Sequence, residues 1–293
     1  MSMLYLQLLL DGIVTGCAVG VIAVSFSYFY ATSGIFNIAH AGVYTLAGYT
    51  AWWLVGMGVP FAFALASAVV VAALVGMAIQ MLVYDRLELR GASPLVILIA
   101  SIGVLAVLQN AMAMIFSPNI VQFDLGWRTT PVSILGLTLS IPQTLIVVSS
   151  CVLCVGMHYF SQRTNLGKRI RAVSSNRELA EITHMNPRAV LVIVIGISSA
   201  LVAVPGVLVG VDQALQPYSA LVILLTAVVA MIAGGIGSIG GAFFMAVLLS
   251  AIQSVSVAMV SGRWSVAVVF GIFILFILLR PSGLFRQRVS RTI

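Results

Sequence analysis

The chain of 293 residues is 61% hydrophobic and only 7% charged, with a mean hydropathy of +1.18. A soluble domain carries roughly 25% charged residues, so this composition excludes one and places the chain in lipid. The net charge of +7 and a pI near 9.8 do not point to nucleic acid, because no basic stripe with interleaved aromatics occurs.

A bilayer core of about 30 Å needs roughly 20 helical residues, and charge-free apolar runs predict spans at 4–30, 35–57, 60–83, 94–116, 141–161, 189–211, 219–236, 239–260 and 264–279. The first begins directly with Tyr5, Leu6 and residues 8–10, without the basic stretch of a signal peptide, so no cleavage is expected. Gly12, Gly16 and Gly20 are spaced by four and read as a close-packing helix face, as do the pairs Gly206/Gly210 and Gly237/Gly241. The second span is interrupted by Gly42 and Gly48, and the pair flanking 234–241 is short, so either region could enter the membrane without crossing. Cys17, Cys151 and Cys154 fall in apolar segments and read as packing residues, with no disulfide framework.

Between spans one and two, Asn37, His40 and Tyr44 stand at i, i+3 and i+7 and would share one face of a helix. Polar groups at this depth need partners or water. They are candidates either for lining a substrate pathway or for hydrogen bonding to neighbouring helices. The connection 117–140 carries Pro118, Trp127, Pro131 and β-branched residues, which predicts irregular or extended structure with an interfacial aromatic.

Twelve of the fourteen basic residues lie in the three hydrophilic stretches 85–91, 162–188 and 280–293, leaving only Arg128 and Arg263 elsewhere. Basic loops stay cytoplasmic, so the parity of nine spans puts the N-terminus outside and the C-terminus inside. Within the second stretch, Ser175-Asn176-Arg177-Glu178 has the spacing of a capping box and predicts a short helix through Ile182, ended with the help of Pro187. Leu179, Ala180 and Ile182 would give that helix an apolar patch suited to a groove on another protein.

Four ordered landmarks resemble those of branched-chain amino-acid ABC transporter permeases: Phe36-Asn37-Ile38-Ala39-His40, the stretch from Lys168-Arg169-Ile170-Arg171-Ala172-Val173 to Asn186, Gly234-Gly235-Ile236-Gly237-Ser238-Ile239-Gly240-Gly241-Ala242, and Arg280-Pro281-Ser282-Gly283-Leu284-Phe285. The resemblance implies an all-α polytopic transmembrane bundle of about nine membrane segments, of ABC importer permease type. It would form a single domain over 1–293 in the bacterial cytoplasmic (inner) membrane. It implies an importer of branched-chain or related small amino acids, in which this chain works with a second permease, identical or paralogous, two cytoplasmic ATP-binding subunits and a soluble substrate-binding protein. ATP and Mg would sit on the partner ATPases, with no cofactor on this chain. The loop 162–188 would be the coupling element, with Arg171, Asn176, Glu178, Leu179, Ala180 and Ile182 as candidates for ATPase contact. His184 departs from the family, whose members commonly carry Gly there.

Relatives of the family carry urea and short amides, which keeps that cargo as an alternative. A secondary transporter is a further one, although its usual intramembrane carboxylate has only Asp11 and Asp212 as candidates, both near span ends. No phosphate-loop, H-E-x-x-H or G-x-S-x-G motif occurs, so no catalytic or metal-binding residue is assigned and the chain is not expected to be an enzyme.

Overall fold

The computed structural model describes residues 2–127, 132–134, 137–260, 262–280 and 283–285. Arg128, Pro131, Pro281, Ser282, Arg286, Arg288 and Arg291 therefore lie outside the described residues. The helices run α1 (Ser2–Ser33), α2 (His40–Gly56), α3 (Phe61–Ile79), a π-helix (Gln80–Tyr84), α4 (Asp85–Leu89) and α5 (Pro94–Phe116). A short antiparallel pair, β1 (Val132–Ile134) and β2 (Leu137–Leu139), precedes α6 (Ile141–Arg163), α7 (Asn165–Ser175) and α8 (Arg177–Ile182). Then follow α9 (Pro187–Asp212), α10 (Ala220–Gly234), α11 (Ile239–Val260) and α12 (Ser265–Leu279).

Six of these are long and apolar enough to cross a membrane: Met3–Ser33, Phe61–Leu89, Pro94–Phe116, Ile141–Arg163, Pro187–Asp212 and Ile239–Ala258. The remaining three predicted spans correspond to shorter helices, α2 of 17 residues and α10 and α12 of 15 each. At about 1.5 Å per residue these fall short of a bilayer core of about 30 Å. Before α2, residues 34–39 run irregularly and the helix begins only at His40.

Local chemistry sets the boundaries. Pro94 opens α5 at a position where a missing N–H costs nothing. Ser140 and Gln143 form a capping box at the start of α6. Asn186 caps α9 by accepting from Ala189 N–H, so the adjacent Pro187 opens that helix instead of closing the preceding one.

The core is built around α1, which packs on α11, α9, α10 and α6. Its glycine face makes this possible, since a Cβ at Gly16 would stand 2.6 Å from the Val247 Cα of α11. Gly206 likewise lets the Tyr44 carbonyl approach α9. The pair Gly237/Gly241 is different from the sequence expectation. Gly237 has φ +83° in the turn before α11, so the two do not share a helix face. Away from the core, Val107, Met114, Val155 and Leu278 are exposed apolar side chains.

Both ends of the bundle are stitched by contacts distant in sequence. At one end, Ser174 Oγ donates to Ala31 O (2.6 Å), Gly237 N–H donates to Ser27 Oγ (2.9 Å), and Leu284 N–H donates to Ala233 O (3.0 Å). This end carries the described basic loops. At the opposite end, Gln7 bonds both backbone groups of Thr138, Val121 pairs with Leu215, and Trp52 Nε1 donates to Gln122 O (2.9 Å). Trp127 packs edge-on against Phe61, with ring centroids 4.9 Å apart.

Candidate functional site

The segment 34–39 and the residues around it are held by a polar cluster inside the bundle. Tyr84, the last residue of the π-helix, donates its hydroxyl to Asn37 Oδ1 at 2.6 Å. Ser101 of α5 accepts from Ile38 N–H (3.2 Å) and lies 3.3 Å from the Phe36 carbonyl. The Ser25 hydroxyl donates to Ile22 O (2.8 Å), so its lone pair is available to His40 Nε2 at 2.9 Å. Asn37 and His40 are thus buried and bonded within the chain. The helix starts only at His40, so Asn37 does not share a helical face with His40 and Tyr44.

Sequence reasoning missed Ser25, Tyr84 and Ser101, which complete this cluster. No local motif marks them. A π-helix is a departure from ordinary helical winding that recurs at functional sites. Here it turns Tyr84 towards Asn37 while Gln80 Nε2 donates to Asp85 Oδ1 at 2.8 Å.

The loop 162–188 contains two helices. In α7 the apolar Ile170 and Val173 are buried, while Lys168 and Arg169 are exposed. Arg171 donates from one nitrogen to Ser161 O (2.8 Å) and Gln162 Oε1 (2.6 Å). The cap of α8 falls one residue later than the capping-box spacing predicts. Asn176, not Ser175, accepts from Leu179 N–H at 3.0 Å, and Ser175 ends α7. Arg177 bonds Glu88 of α4 at 3.2 Å, linking α8 to the end of the π-helix.

Of the three apolar residues on α8, Leu179 is 59% and Ile182 73% exposed, whereas Ala180 is only 3% exposed. The free apolar surface is therefore Leu179 and Ile182, and Ala180 packs inward. Glu178 is exposed in the first turn of α8, where its charge favours the positive end of the helix. The helix closes in a Schellman arrangement, with Met185 N–H donating to Ala180 O (3.1 Å) and His184 N–H to Glu181 O (3.0 Å). His184 takes φ +60°, the conformation at which glycine is free of strain. That is the physical reason for glycine at this place.

The four sequence landmarks converge around the last turns of α1. Ser25 meets His40, Ser27 meets Gly237, Ala31 meets Ser174, and Phe285 N–H donates to Gly234 O at 3.2 Å. Between them lies a cavity of about 1380 Å³, lined among others by Tyr28, Arg171, Asn176, Glu178, Gly237 and Phe285.

A second, smaller cleft of about 430 Å³ lies towards the opposite end. Tyr44 and Thr45 of α2, Val209 of α9, Gln213 and Gln216 of the connection and Val222 of α10 line it. Tyr44 alone of the three predicted pathway residues reaches this cleft. Among the described residues, no group of three or more His, Cys, Asp or Glu side chains converges as a metal centre requires. Cys17, Cys151 and Cys154 are free.

Comparison with known proteins finds relatives over nearly the whole chain. The family model described as branched-chain amino acid transport system / permease component matches residues 8–278. The high-affinity branched-chain amino acid transport system permease protein BraD of Pseudomonas aeruginosa is 29% identical, over 96% of this chain and 95% of its own. The corresponding protein LivH of Escherichia coli is 26% identical over the same shares of the two chains, 96% and 95%. Among solved structures, PsaBC from Streptococcus pneumoniae in complex with Fab is similar in fold, with TM-score 0.53 and 14% identity over 92% of this chain and 91% of that one.

Proposed function

This chain belongs to the family of permease components of branched-chain amino acid transport systems, and from that membership we propose that it is one of two membrane-spanning subunits of an ATP-driven importer. Its cargo is a branched-chain or related small amino acid handed over by a soluble binding protein. The likeness to BraD and LivH over nearly the full length of all three chains carries this reading. ATP and Mg act on two separate cytoplasmic subunits, because this chain has no phosphate loop of its own. The second permease is a copy or a paralogue.

In this reading, residues 1–293 form one permease domain in a bacterial inner membrane, with the basic end cytoplasmic and the N-terminus outside. The loop 162–188 receives the ATPases, with Leu179 and Ile182 as its docking surface. Closure of the ATPases pushes on α7 and α8. The Arg177–Glu88 pair and the Ser174–Ala31 bond pass that movement to the π-helix and to α1. Asn37 and His40 hold the irregular segment against those same elements, acting on cargo through its position and not by touching it.

The test is reconstitution. The chain is expressed with candidate ATPases, binding protein and second permease, and leucine uptake into proteoliposomes is followed with ATP inside and with an uncoupler added. Uptake that requires ATP and the binding protein and ignores the uncoupler is expected. Uncoupler-sensitive uptake by this chain alone would replace the proposal with a secondary transporter. Uptake of urea but not leucine would move the cargo to short amides.

A further inference from the structure

The cleft beside Tyr44 has the geometry of a small-molecule site. It lies between two helix ends. The last turn of α9 contributes Val209 and Gly210, and the first turn of α10 contributes Val222 and Ile223. The Tyr44 carbonyl faces Gly206, six residues before the end of α9 at Asp212, which sets Tyr44 about 9 Å inside that end. Residues 213–219 fold back between the two helices, and Leu215 pairs with Val121 there.

Tyr44 supplies the independent sign of a ligand. It is 6% exposed, it lines the cleft, and its hydroxyl has no hydrogen-bond partner among the described residues. That hydroxyl is not sealed from solvent, so it is open to bond a polar group of a ligand in the cleft. Of the other polar groups lining the cleft, Thr45 Oγ1 is bonded to Ala41 O and Ser219 Oγ to Gln216 O, while Gln213 and Gln216 are exposed.

The rest of the cleft defines the ligand. Helix α9 ends here, presenting the negative end of its dipole, and α10 begins here, presenting the positive end. Opposite helix ends facing one cleft favour a ligand that carries one positive and one negative group. Val209, Val222, Ile223 and Leu215 add an apolar wall. A volume of about 430 Å³ lies in the range of pockets for small ligands.

We propose that this outer cleft is a binding station on the permease itself for a single aliphatic amino acid. The ligand's ammonium group lies towards the end of α9, its carboxylate towards the start of α10, and its side chain against the valine and isoleucine wall. The Tyr44 hydroxyl bonds one of the polar ends. The inference rests on the transport reading above and adds that selection of cargo is not confined to the binding protein.

The test uses the assembled transporter in nanodiscs without binding protein, with Cys17, Cys151 and Cys154 replaced. A single cysteine, Gln216→Cys, is labelled with a charged thiol reagent in the presence and absence of excess L-leucine, with L-glutamate as comparison. Leucine should slow the labelling and glutamate should not. Asp124→Cys, exposed in the outer connection and outside the cleft lining, should be unaffected by either. Adding Tyr44→Phe should raise the leucine concentration needed for protection about three- to tenfold, the worth of one neutral hydrogen bond. Val222→Trp, which fills the cleft, should abolish protection.

Separate uptake measurements on the same preparation keep the two proposals apart. Leucine uptake with no protection at Gln216→Cys overturns the binding station and leaves the importer standing. The station is equally overturned if a lipid chain or a side chain of the second permease occupies the cleft, because labelling is then insensitive to leucine. Protection without leucine uptake supports the station and overturns the importer reading.

Discussion

Arg177 and Glu88 face each other at 3.2 Å although they lie 89 residues apart in sequence, one at the first position of α8 and the other in the short helix after the π-helix. The Arg177 side chain is 39% exposed and that of Glu88 22%, so the pair adds little to stability, about 1 kcal/mol or less. In the proposed coupling route its position would give it a mechanical part. Glu88→Gln and Arg177→Gln should leave subunit yield and ATP hydrolysis near normal while lowering the amino acid moved per ATP. The exchanged pair Glu88→Arg with Arg177→Glu should recover most of the loss. Equal ratios in all four proteins would remove the pair from the coupling route.

The Asn37–Tyr84 bond should behave as a stability element. Tyr84→Phe or Asn37→Leu leaves one buried polar partner unmet, a loss of about 1–3 kcal/mol. Thermal unfolding of the purified protein in detergent should fall in each single variant. The double variant should fall by less than the sum, since the orphaned group is then gone.

Exposure separates the residues of α8. Ile182→Glu and Leu179→Glu should weaken co-purification of the ATPases while the permease keeps its melting temperature, because both side chains face outward. Ala180→Trp should instead destabilise the permease itself, since the site is buried. An Ile182→Glu protein that retains its ATPases in full would argue that another surface docks them.

His184 sits in a conformation that costs a side chain about 1–2 kcal/mol. His184→Gly should relieve part of this and tighten the end of α8. Hydrogen exchange should slow at the His184-site and Met185 amides, the two donors of the Schellman turn.

Orientation can be read with impermeant thiol reagents in intact cells, after removal of the native cysteines. A cysteine in 165–175 should be shielded and one in 119–126 should react. The opposite pattern would reverse the topology and dissociate the basic loop from the ATPases.

The helical architecture was largely legible because apolar length and basic loops obey simple physics. The predicted segments 94–116 and 239–260 have the same limits as α5 and α11. The irregular stretch 34–39 was not legible. Ile35, Phe36, Ile38 and Ala39 carry the apolarity of a helix start, and the groups that hold them, Tyr84 and Ser101, lie far along the chain. Spacing alone therefore put Asn37, His40 and Tyr44 on one face. The structure divides them between a bonded cluster and an open cleft. Asn176 displaced Ser175 as the cap for a similar reason, since adjacent residues can both offer an oxygen and only the backbone path selects one.

The irregular stretch also constrains how the protein can be made. Its backbone relies on Ser101, and its Asn37 on Tyr84, neither of which has emerged from the ribosome when the second hydrophobic segment arrives. Released singly into hydrocarbon, residues 34–39 would expose peptide groups that lipid cannot satisfy. The earliest unit that can rest in the bilayer with these groups paired thus ends within α5. Pairing of these groups therefore waits on Tyr84 and Ser101, so the stretch should settle only once α3 and α5 have joined α2.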